Sequence, residues 1–255
     1  MKDLERIAET VDTAAHEATA IPQFSDTAAL SLDDAWKVQR LSMERRYARG
    51  EKRIGVKMGF TSRAKMEQMG LSDLIWGRLT DGMREEEGGT ISLSRYVHPR
   101  AEPEIVYLLK KPLAGVVTPM EALDAVEAVA PAMEIIDSRY ANFRFDLGDV
   151  IADNSSSSGF VLGRWHARDT DVRNLGLVVT IDGETVQIGS TAAILGDPIR
   201  ALVAAARLVA EADECLEAGD IVLAGGATAA TALTAGQAVQ TEFQELGSVS
   251  FRVGE

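Results

Sequence analysis

Residues 98–109 read His-Pro-Arg-Ala-Glu-Pro-Glu-Ile-Val-Tyr-Leu-Leu, a stretch that is typical of a buried strand apart from its two glutamates. Glu102 and Glu104 stand two positions apart, and residues i and i+2 of a strand point to the same face. A third glutamate, Glu134, lies among apolar residues in Pro-Ala-Met-Glu-Ile-Ile, residues 131–136. Carboxylates in apolar surroundings are rare unless they are paired or bind a metal ion. A hard divalent cation would account for all three, because Mg²⁺ takes oxygen ligands.

The composition is that of a large acidic chain with enough apolar residues for a substantial core. The chain has 255 residues, 46% of them hydrophobic, and a formal net charge of −13. This size suits one large domain, or one domain with a small appendage. A chain this acidic is a poor candidate for a general nucleic-acid binder.

Neither the cysteine content nor the N-terminus indicates export or membrane insertion. The single cysteine, Cys215, cannot form an intrachain disulfide. No apolar run approaches the ~20 residues that a membrane-spanning helix needs. The first residues are charged throughout and lack the apolar region of a signal peptide. We therefore expect a cytoplasmic protein without a membrane partner.

Helical patterns dominate the first fifty residues. Residues 2–19 carry apolar side chains at helical spacing. Ser31 followed by Asp34 predicts the N-cap of a second helix, which runs to about Arg49 and ends at Gly50. The sequence thus predicts a helical N-terminal region over residues 1–50, followed by a catalytic β-rich domain over residues 51–255.

From residue 54 onward, short apolar runs alternate with turn residues, which predicts many strands. Asp182-Gly183 predicts a type I′ turn in a hairpin over residues 179–186. Two helices are predicted at about 120–129 and 199–212. The predicted fold is therefore α+β, with a mostly antiparallel β-rich core. The predicted strands span residues 54–60, 90–93, 104–109, 160–162, 177–181, 221–224, 238–243 and 248–253.

Two residues outside the glutamates are candidates for catalysis. Lys57 lies on a predicted strand between Val56 and Met58. It is either a surface lysine whose stem covers apolar neighbours, or a cation in a polar cleft that steadies an oxyanion or moves a proton. Asp81 follows Leu-Thr and precedes Gly82, so from the residues alone an ordinary turn is the better interpretation.

Three further places could bind a substrate. Arg139 could hold a carboxylate with two hydrogen bonds, or it could pair with Asp137 or Asp146. Ser155 lies in the polar run Asp-Asn-Ser-Ser-Ser-Ser, residues 153–158, which is either a solvated loop or a set of donors lining a pocket. Thr228 ends a Gly-Gly-Ala-Thr segment that could present backbone N–H groups and a hydroxyl to an anion.

Taken in order along the chain, these segments resemble the 2-oxopent-4-enoate hydratase and 4-oxalocrotonate decarboxylase family of the fumarylacetoacetate hydrolase superfamily. The resemblance covers residues 30–253, and Pro103 departs from it, because alanine is more familiar between the two glutamates. The matching segments are the lysine segment at 55–70, His-Pro-Arg-Ala-Glu-Pro-Glu at 98–104, Glu-Ile-Ile-Asp-Ser-Arg at 134–139, Ile-Ala-Asp-Asn-Ser-Ser at 151–156 and Leu-Gly-Ser-Val-Ser at 246–250.

The resemblance implies an enzyme in which Glu102, Glu104 and Glu134 hold one Mg²⁺ or Mn²⁺. Decarboxylation of 2-oxo-3-hexenedioate through a metal-stabilised dienolate is favoured, because residues 134–147 and 225–230 resemble the decarboxylases of the family. Hydration of 2-oxopent-4-enoate is the first alternative, since it uses the same dienolate chemistry. A scaffold subunit without activity is the second.

The resemblance also implies roles for single residues and partners. Lys57 would add positive charge or relay a proton, with Asp81 as the residue that orients it or moves protons. Arg139, Ser155 or Thr228 would meet the carboxylates of a small 2-oxo dicarboxylic acid. A homo-oligomer and a complex with the partner hydratase are further expectations, within the breakdown of aromatic compounds by meta-cleavage.

Overall fold

The computed structural model describes residues 3–62 and 73–255, which form helices at the start of the chain and two β-sheets after them. The predicted first residue of the N-terminal helix and the second half of the lysine segment, residues 63–70, lie outside the described residues. The helices are α1 (Leu4–His16), α2 (Ser25–Ala28), α3 (Leu32–Ala48), α4 (Pro119–Ala125), α5 (Leu147–Ala152) and α6 (Ile199–Glu211).

The strands follow the same order along the chain, and each of the eight predicted strands overlaps one of them. They are β1 (Arg53–Gly59), β2 (Ile75–Thr80), β3 (Arg84–Glu85), β4 (Thr90–Ser92), β5 (Arg100–Leu109), β6 (Val126–Ile136), β7 (Ser157–Leu162), β8 (His166–Ala167), β9 (Gly176–Ile181), β10 (Glu184–Ser190), β11 (Ile221–Leu223), β12 (Thr231–Ala232), β13 (Ala238–Phe243) and β14 (Gly247–Gly254).

Local sequence signals account for the N-terminal helices. The side chain of Ser31 accepts a hydrogen bond from the backbone N–H of Asp34 and so caps α3, as predicted. Gly50 follows the end of α3 with a φ of +106°, a conformation that favours glycine. α1, α3 and α5 share an apolar cluster with Ile75 of β2. The helical region thus packs onto the edge of the first sheet, while its status as a separate domain stays a prediction.

The first sheet has the strand order β2-β1-β11-β5-β6-β7-β3, with β12 beside β5 and β8 beside β6. The second has the order β10-β9-β13-β14-β4. Three of the pairings are parallel (β1–β11, β3–β7 and β4–β14), and the others described are antiparallel. The predicted α+β fold with a mostly antiparallel core is confirmed.

The predicted hairpin is present as β9–β10. Asp182 and Gly183 have φ values of +52° and +83°, as a type I′ turn requires. The two sheets meet through a shared apolar cluster. Ala101, Met133 and Ile135 from the first sheet contact Val249 and Phe251 from the second. The glutamates at 102, 104 and 134 therefore project from the opposite face of the first sheet.

The predicted helix at about 120–129 is wrong in its second half. α4 ends at Ala125, and the chain continues as β6 from Val126 to Ile136. The Ala-rich sequence of this stretch has ordinary helical propensity, but its pairing with both β5 and β7 overrides that local preference. The sequence analysis thus missed the strand that carries Glu134.

Pro103 sits in β5 without breaking the ladder. Its carbonyl oxygen accepts a hydrogen bond from Ala227 N at 2.8 Å. On that side of β5, β11 ends opposite Val106 and β12 begins opposite Ala101. The missing N–H of Pro103 therefore faces a gap between two short strands, where the ladder needs no donor.

In the part of the chain that the structure describes, no helix is long and apolar enough to cross a lipid bilayer.

Candidate metal centre

The register of β5 and β6 brings the three glutamates together. Glu102 and Glu134 are directly paired across the two antiparallel strands, and Glu104 follows Glu102 on the same face. One carboxylate oxygen from each lies within 4.8 Å of the others. Glu104 and Glu134 are 0% exposed, and Glu102 is 8% exposed. The structure thus places all three predicted metal ligands in one buried cluster.

Lys57 reaches this cluster from a strand two places away. It pairs with Leu223 of β11, which in turn pairs with Val106 of β5, so Lys57 shares the glutamate face of the sheet. Its Nζ lies 3.1 Å from Glu134 Oε2. Lys57 is only 4% exposed, which excludes the surface interpretation of this residue.

Gly225 and Gly226 let the chain approach the carboxylates closely. The backbone N–H of Gly225 donates to Glu104 Oε2 at 2.7 Å. A Cβ at position 226 would lie 2.6 Å from Glu102 Oε2, so a larger residue would displace that carboxylate. The predicted anion-facing glycine segment therefore contacts an anion, and that anion is a side chain of the protein itself.

Burial and mutual repulsion set the electrostatics of the cluster. Burial, with Glu134 and Glu102 nearby, raises the pKa of Glu104 well above its ordinary value, against the opposing effects of Lys57 and Gly225 N–H. The pKa of Glu134 is also raised by burial, and the positive charge of Lys57 offsets only part of this effect. Burial alone would lower the pKa of Lys57, but Glu134, Glu104 and Glu102 outweigh it and raise that pKa.

The cluster fits a divalent cation in both charge and donor chemistry. The cluster brings three carboxylates and the Lys57 ammonium together in a buried space. Among the residues that the structure describes, Glu104 Oε1 and Glu134 Oε1 have no hydrogen-bond partner. Unpaired buried carboxylate oxygens are costly, and they are the ligands that Mg²⁺ and Mn²⁺ prefer.

A pocket of about 390 Å³ opens onto the cluster. Lys57 and Glu102 form part of its lining. Aromatic side chains from Phe60, Phe143 and Phe145 contribute apolar wall, and Arg100 adds a cation. The sequence analysis did not single out these four residues, although all of them lie within segments that it named. The pocket therefore combines a polar cluster with a mostly apolar cavity.

Ser155 lies in the lining of the pocket, as one of its two interpretations expected. It is 2% exposed, so the polar run at 153–158 is not a solvated loop at this point. Its hydroxyl donates to the carbonyl oxygen of Trp76 at 2.7 Å. Its backbone has a φ of +52°, an uncommon conformation for serine. The hydrogen bond from Ser155 to Trp76 connects the pocket wall to β2.

Thr228 does not line the pocket, although its neighbours Ala229 and Ala230 do. Its hydroxyl donates to the carbonyl oxygen of Ala229 at 3.1 Å. Its methyl group is so close to Gly189 that a Cβ there would lie 2.6 Å from it. The structure therefore places Thr228 behind the pocket wall, and a direct contact with substrate stays a prediction.

Arg139 is not at the glutamate cluster. It is 3% exposed, its Nε donates to Asp153 Oδ1 and its Nη2 donates to the carbonyl oxygen of Asp153 at 2.8 Å. Asp137 Oδ2, from one of the two predicted partners, is 4.0 Å from Arg139 Nη1. The main partner is Asp153, which was not predicted. Arg139 lines a separate polar cavity of about 240 Å³. In this structure its guanidinium fixes the segment that contains Ser155 and does not face the pocket.

Asp81 is also remote from Lys57. It follows the end of β2, where Thr80 pairs with Arg53, whereas Lys57 pairs with Gly77. Its Oδ1 accepts a hydrogen bond from the backbone N–H of Lys52 at 2.9 Å, and its side chain is exposed. The structure therefore shows a turn residue, and it does not bring Asp81 to the lysine that it was expected to orient.

Known proteins resemble the chain over nearly its whole length. The family model described as fumarylacetoacetate (FAA) hydrolase C-terminal matches residues 81–254. A 4-oxalocrotonate decarboxylase from a Pseudomonas species is 62% identical over 248 residues, which cover 97% of each chain. A 2-keto-4-pentenoate hydratase from Paraburkholderia xenovorans strain LB400 is 33% identical over 249 residues, which cover 96% of this chain and 93% of the hydratase.

The fold has a close counterpart among solved structures. The 4-oxalocrotonate decarboxylase from Pseudomonas putida G7, complexed with magnesium and adipate, matches with a TM-score of 0.95 at 38% sequence identity. The match covers 98% of this chain and 97% of that one.

Proposed function

The chain belongs to the fumarylacetoacetate hydrolase family, and we propose that it is a metal-dependent decarboxylase of 2-oxo-3-hexenedioate (4-oxalocrotonate). The products are 2-oxopent-4-enoate and CO₂. One observation carries the assignment: a buried cluster of three glutamates and a lysine faces a pocket in a chain that is 62% identical to a 4-oxalocrotonate decarboxylase over 97% of its length.

Mg²⁺, or Mn²⁺ in its place, is the cofactor that Glu102, Glu104 and Glu134 would hold. The Pseudomonas putida G7 decarboxylase is complexed with magnesium, which supports the same ion here. A bound divalent cation supplies a Lewis acid at the oxygen on which negative charge develops. The glutamate face of the sheet keeps the ligands fixed, because two of them belong to one strand and the third is paired to it.

The substrate is a vinylogous β-keto acid, so loss of CO₂ drives electrons toward the C2 oxygen. The C5–C6 bond breaks, CO₂ leaves from C6, and the electron pair moves through the conjugated chain to the C2 oxygen. Addition of a proton at C3 then gives 2-oxopent-4-enoate. Lys57 would place its ammonium beside the C2 oxygen. There it would stabilise the developing negative charge and act as a proton donor. The aromatic wall from Phe60, Phe143 and Phe145 would exclude water from the conjugated chain.

Hydration of 2-oxopent-4-enoate is the competing function, because hydratases of the family also align over most of the chain. Both segments whose sequence favours decarboxylation contribute to the pocket. Phe143 and Phe145 come from the first, and Ala229 and Ala230 come from the second. Their contact with the pocket supports a role for these segments in the choice of reaction.

The decisive experiment is to incubate the purified chain with 2-oxo-3-hexenedioate and Mg²⁺ and to measure CO₂. We expect release that depends on the ion and stops when a chelator is added. If no CO₂ is formed while 2-oxopent-4-enoate is hydrated, the chain is a hydratase. If neither reaction occurs and metal analysis finds no bound ion, the chain is a scaffold subunit.

The setting of this activity remains a prediction in four respects. We propose action in the cytoplasm, within the meta-cleavage breakdown of aromatic compounds. We also propose a homo-oligomer and association with the partner hydratase, which would consume 2-oxopent-4-enoate. Size-exclusion chromatography with light scattering, alone and with the hydratase present, tests both associations.

A further inference from the structure

Arg100 opens the row of charged side chains on the glutamate face of β5. Arg100, Glu102 and Glu104 alternate along the strand, so all three point to the same side of the sheet. Glu104 is fully buried, Glu102 is nearly so and Arg100 is half-buried. Arg100 therefore lies nearer the open end of the pocket. Because two residues along a strand span about 7 Å, the Cα atoms of Arg100 and Glu102 are separated by roughly that distance.

Within the described residues, the Arg100 guanidinium has no carboxylate as a partner. Its Cζ lies over the ring of Phe143, 4.3 Å from the ring centroid. Other buried or half-buried arginines of the chain do have such partners, for example Arg78 with Glu214 and Arg139 with Asp153. A guanidinium that lines a pocket, lies over an aromatic face and has no carboxylate partner among the described residues retains donors for a carboxylate in a two-point geometry.

The pocket between the two charged ends has the right length and surface for a short carbon chain. Ile75, Ile136 and Phe60 contribute apolar wall to the same cavity as Lys57 and Arg100. A six-carbon chain, built from carbon–carbon bonds of about 1.5 Å, extends roughly 6 Å. One end can therefore lie at the glutamate cluster while the other reaches Arg100.

We propose that Arg100 is a specificity-determining residue that receives the distal carboxylate of a 2-oxo dicarboxylic acid. This inference rests on the proposed function, because it assumes that the 2-oxo end of the substrate lies at the glutamate cluster. The distal carboxylate is the group that leaves as CO₂, so it loses its charge as the reaction proceeds. Its pairing with Arg100 is therefore no stronger in the transition state, and Arg100 should govern binding rather than turnover.

The test compares binding of two unreactive acids to the Mg²⁺-loaded full chain by calorimetry. One is 2-oxoadipate, which carries a distal carboxylate, and the other is 2-oxohexanoate, which lacks it. We expect the wild-type chain to favour 2-oxoadipate by about 10- to 100-fold, as hydrogen bonds between charged groups typically give. Arg100→Gln should remove the preference without changing the affinity for 2-oxohexanoate.

A matched control is Arg164→Gln, which removes an exposed arginine outside the pocket lining and should leave the preference intact. With 2-oxo-3-hexenedioate, Arg100→Gln should raise KM while kcat stays near that of the wild type. A preference that survives Arg100→Gln, or equal affinity of the wild-type chain for both acids, would overturn the inference. Failure of CO₂ release together with an Arg100-dependent preference would overturn the proposed function and leave the inference standing.

Discussion

Glu102 and Glu134 stand directly opposite each other in the β5–β6 pair and project from the same face of the sheet. Like charges in this position destabilise a sheet, and burial increases the cost. Lys57, 3.1 Å from Glu134, offsets only part of it. The arrangement is therefore best explained by a divalent cation held between the two strands.

Glu104→Gln should abolish turnover while the fold survives. The amide keeps the size of the side chain but removes one ligand charge, so we expect activity to fall by at least about 100-fold. The metal-free variant should be no less stable than the wild type, because the change relieves repulsion in the cluster. CO₂ release, Mg²⁺ titration calorimetry and circular dichroism check this. The control is Glu127→Gln, an exposed glutamate of β6, and wild-type activity in Glu104→Gln would refute the metal centre.

Lys57→Met should damage both stability and activity. Removal of one partner from a buried charge cluster typically costs about 3–5 kcal/mol of unfolding free energy. Loss of an acid at the reacting position should also lower kcat by about 10²- to 10⁴-fold. Denaturant unfolding of the metal-free protein and steady-state kinetics of the loaded protein measure the two effects. Lys52→Met changes an exposed lysine just before β1 and should reproduce neither effect.

The metal-free protein should lose stability as the pH rises. In the folded chain the pKa of Glu104 and that of Glu134 are both raised, chiefly by burial. The neutral carboxyl is therefore favoured on folding, so its contribution is complete below the ordinary glutamate pKa and is lost as pH rises through the raised value. Lys57 stays charged throughout this range, because its pKa is raised from an already basic value.

Thermal unfolding of chelator-treated protein between about pH 5 and about pH 8 should show a falling Tm. Added Mg²⁺ should stabilise the protein more at the higher pH, because protons compete for the same oxygens. Calorimetry in buffers of different ionisation enthalpy should detect proton release on metal binding. The matched variant is Glu104→Gln, which lacks the titrating group. If Tm rises with pH by the same amount in the metal-free wild type and in this variant, the prediction is contradicted.

The sequence predicted the centre of the site better than its surroundings, for a physical reason. Glu102 and Glu104 are two positions apart on one strand, so a local rule of alternation brings them together. Glu134 comes to them through long-range pairing of β6, whose Ala-rich sequence resembles a helix. The resemblance to a family placed it in the site where local patterns could not.

Residues whose partners are distant in sequence were the least predictable. Arg139 has several acidic neighbours along the chain, but in the folded protein it forms its ion pair with Asp153. Asp81 directly follows β2, which pairs with the strand of Lys57, yet the register puts Asp81 beyond Arg53 while Lys57 lies opposite Gly77. Arg100 stood within the quoted stretch, but its aromatic partner, Phe143, comes from a distant segment that only the tertiary fold brings to it.

Gly226→Ala should weaken metal binding without unfolding the protein. A Cβ at this position would lie 2.6 Å from Glu102 Oε2 and 2.9 Å from its Cδ, so the carboxylate must move away from the cluster. We expect Mg²⁺ affinity to fall by about 10- to 100-fold, the loss typical of a disturbed ligand geometry. Gly176→Ala is the control, because the nearest atom to its added Cβ would be 3.6 Å away. Calorimetric Mg²⁺ titration of both variants decides the matter: equal affinities would mean that Glu102 does not contribute to the ion's coordination.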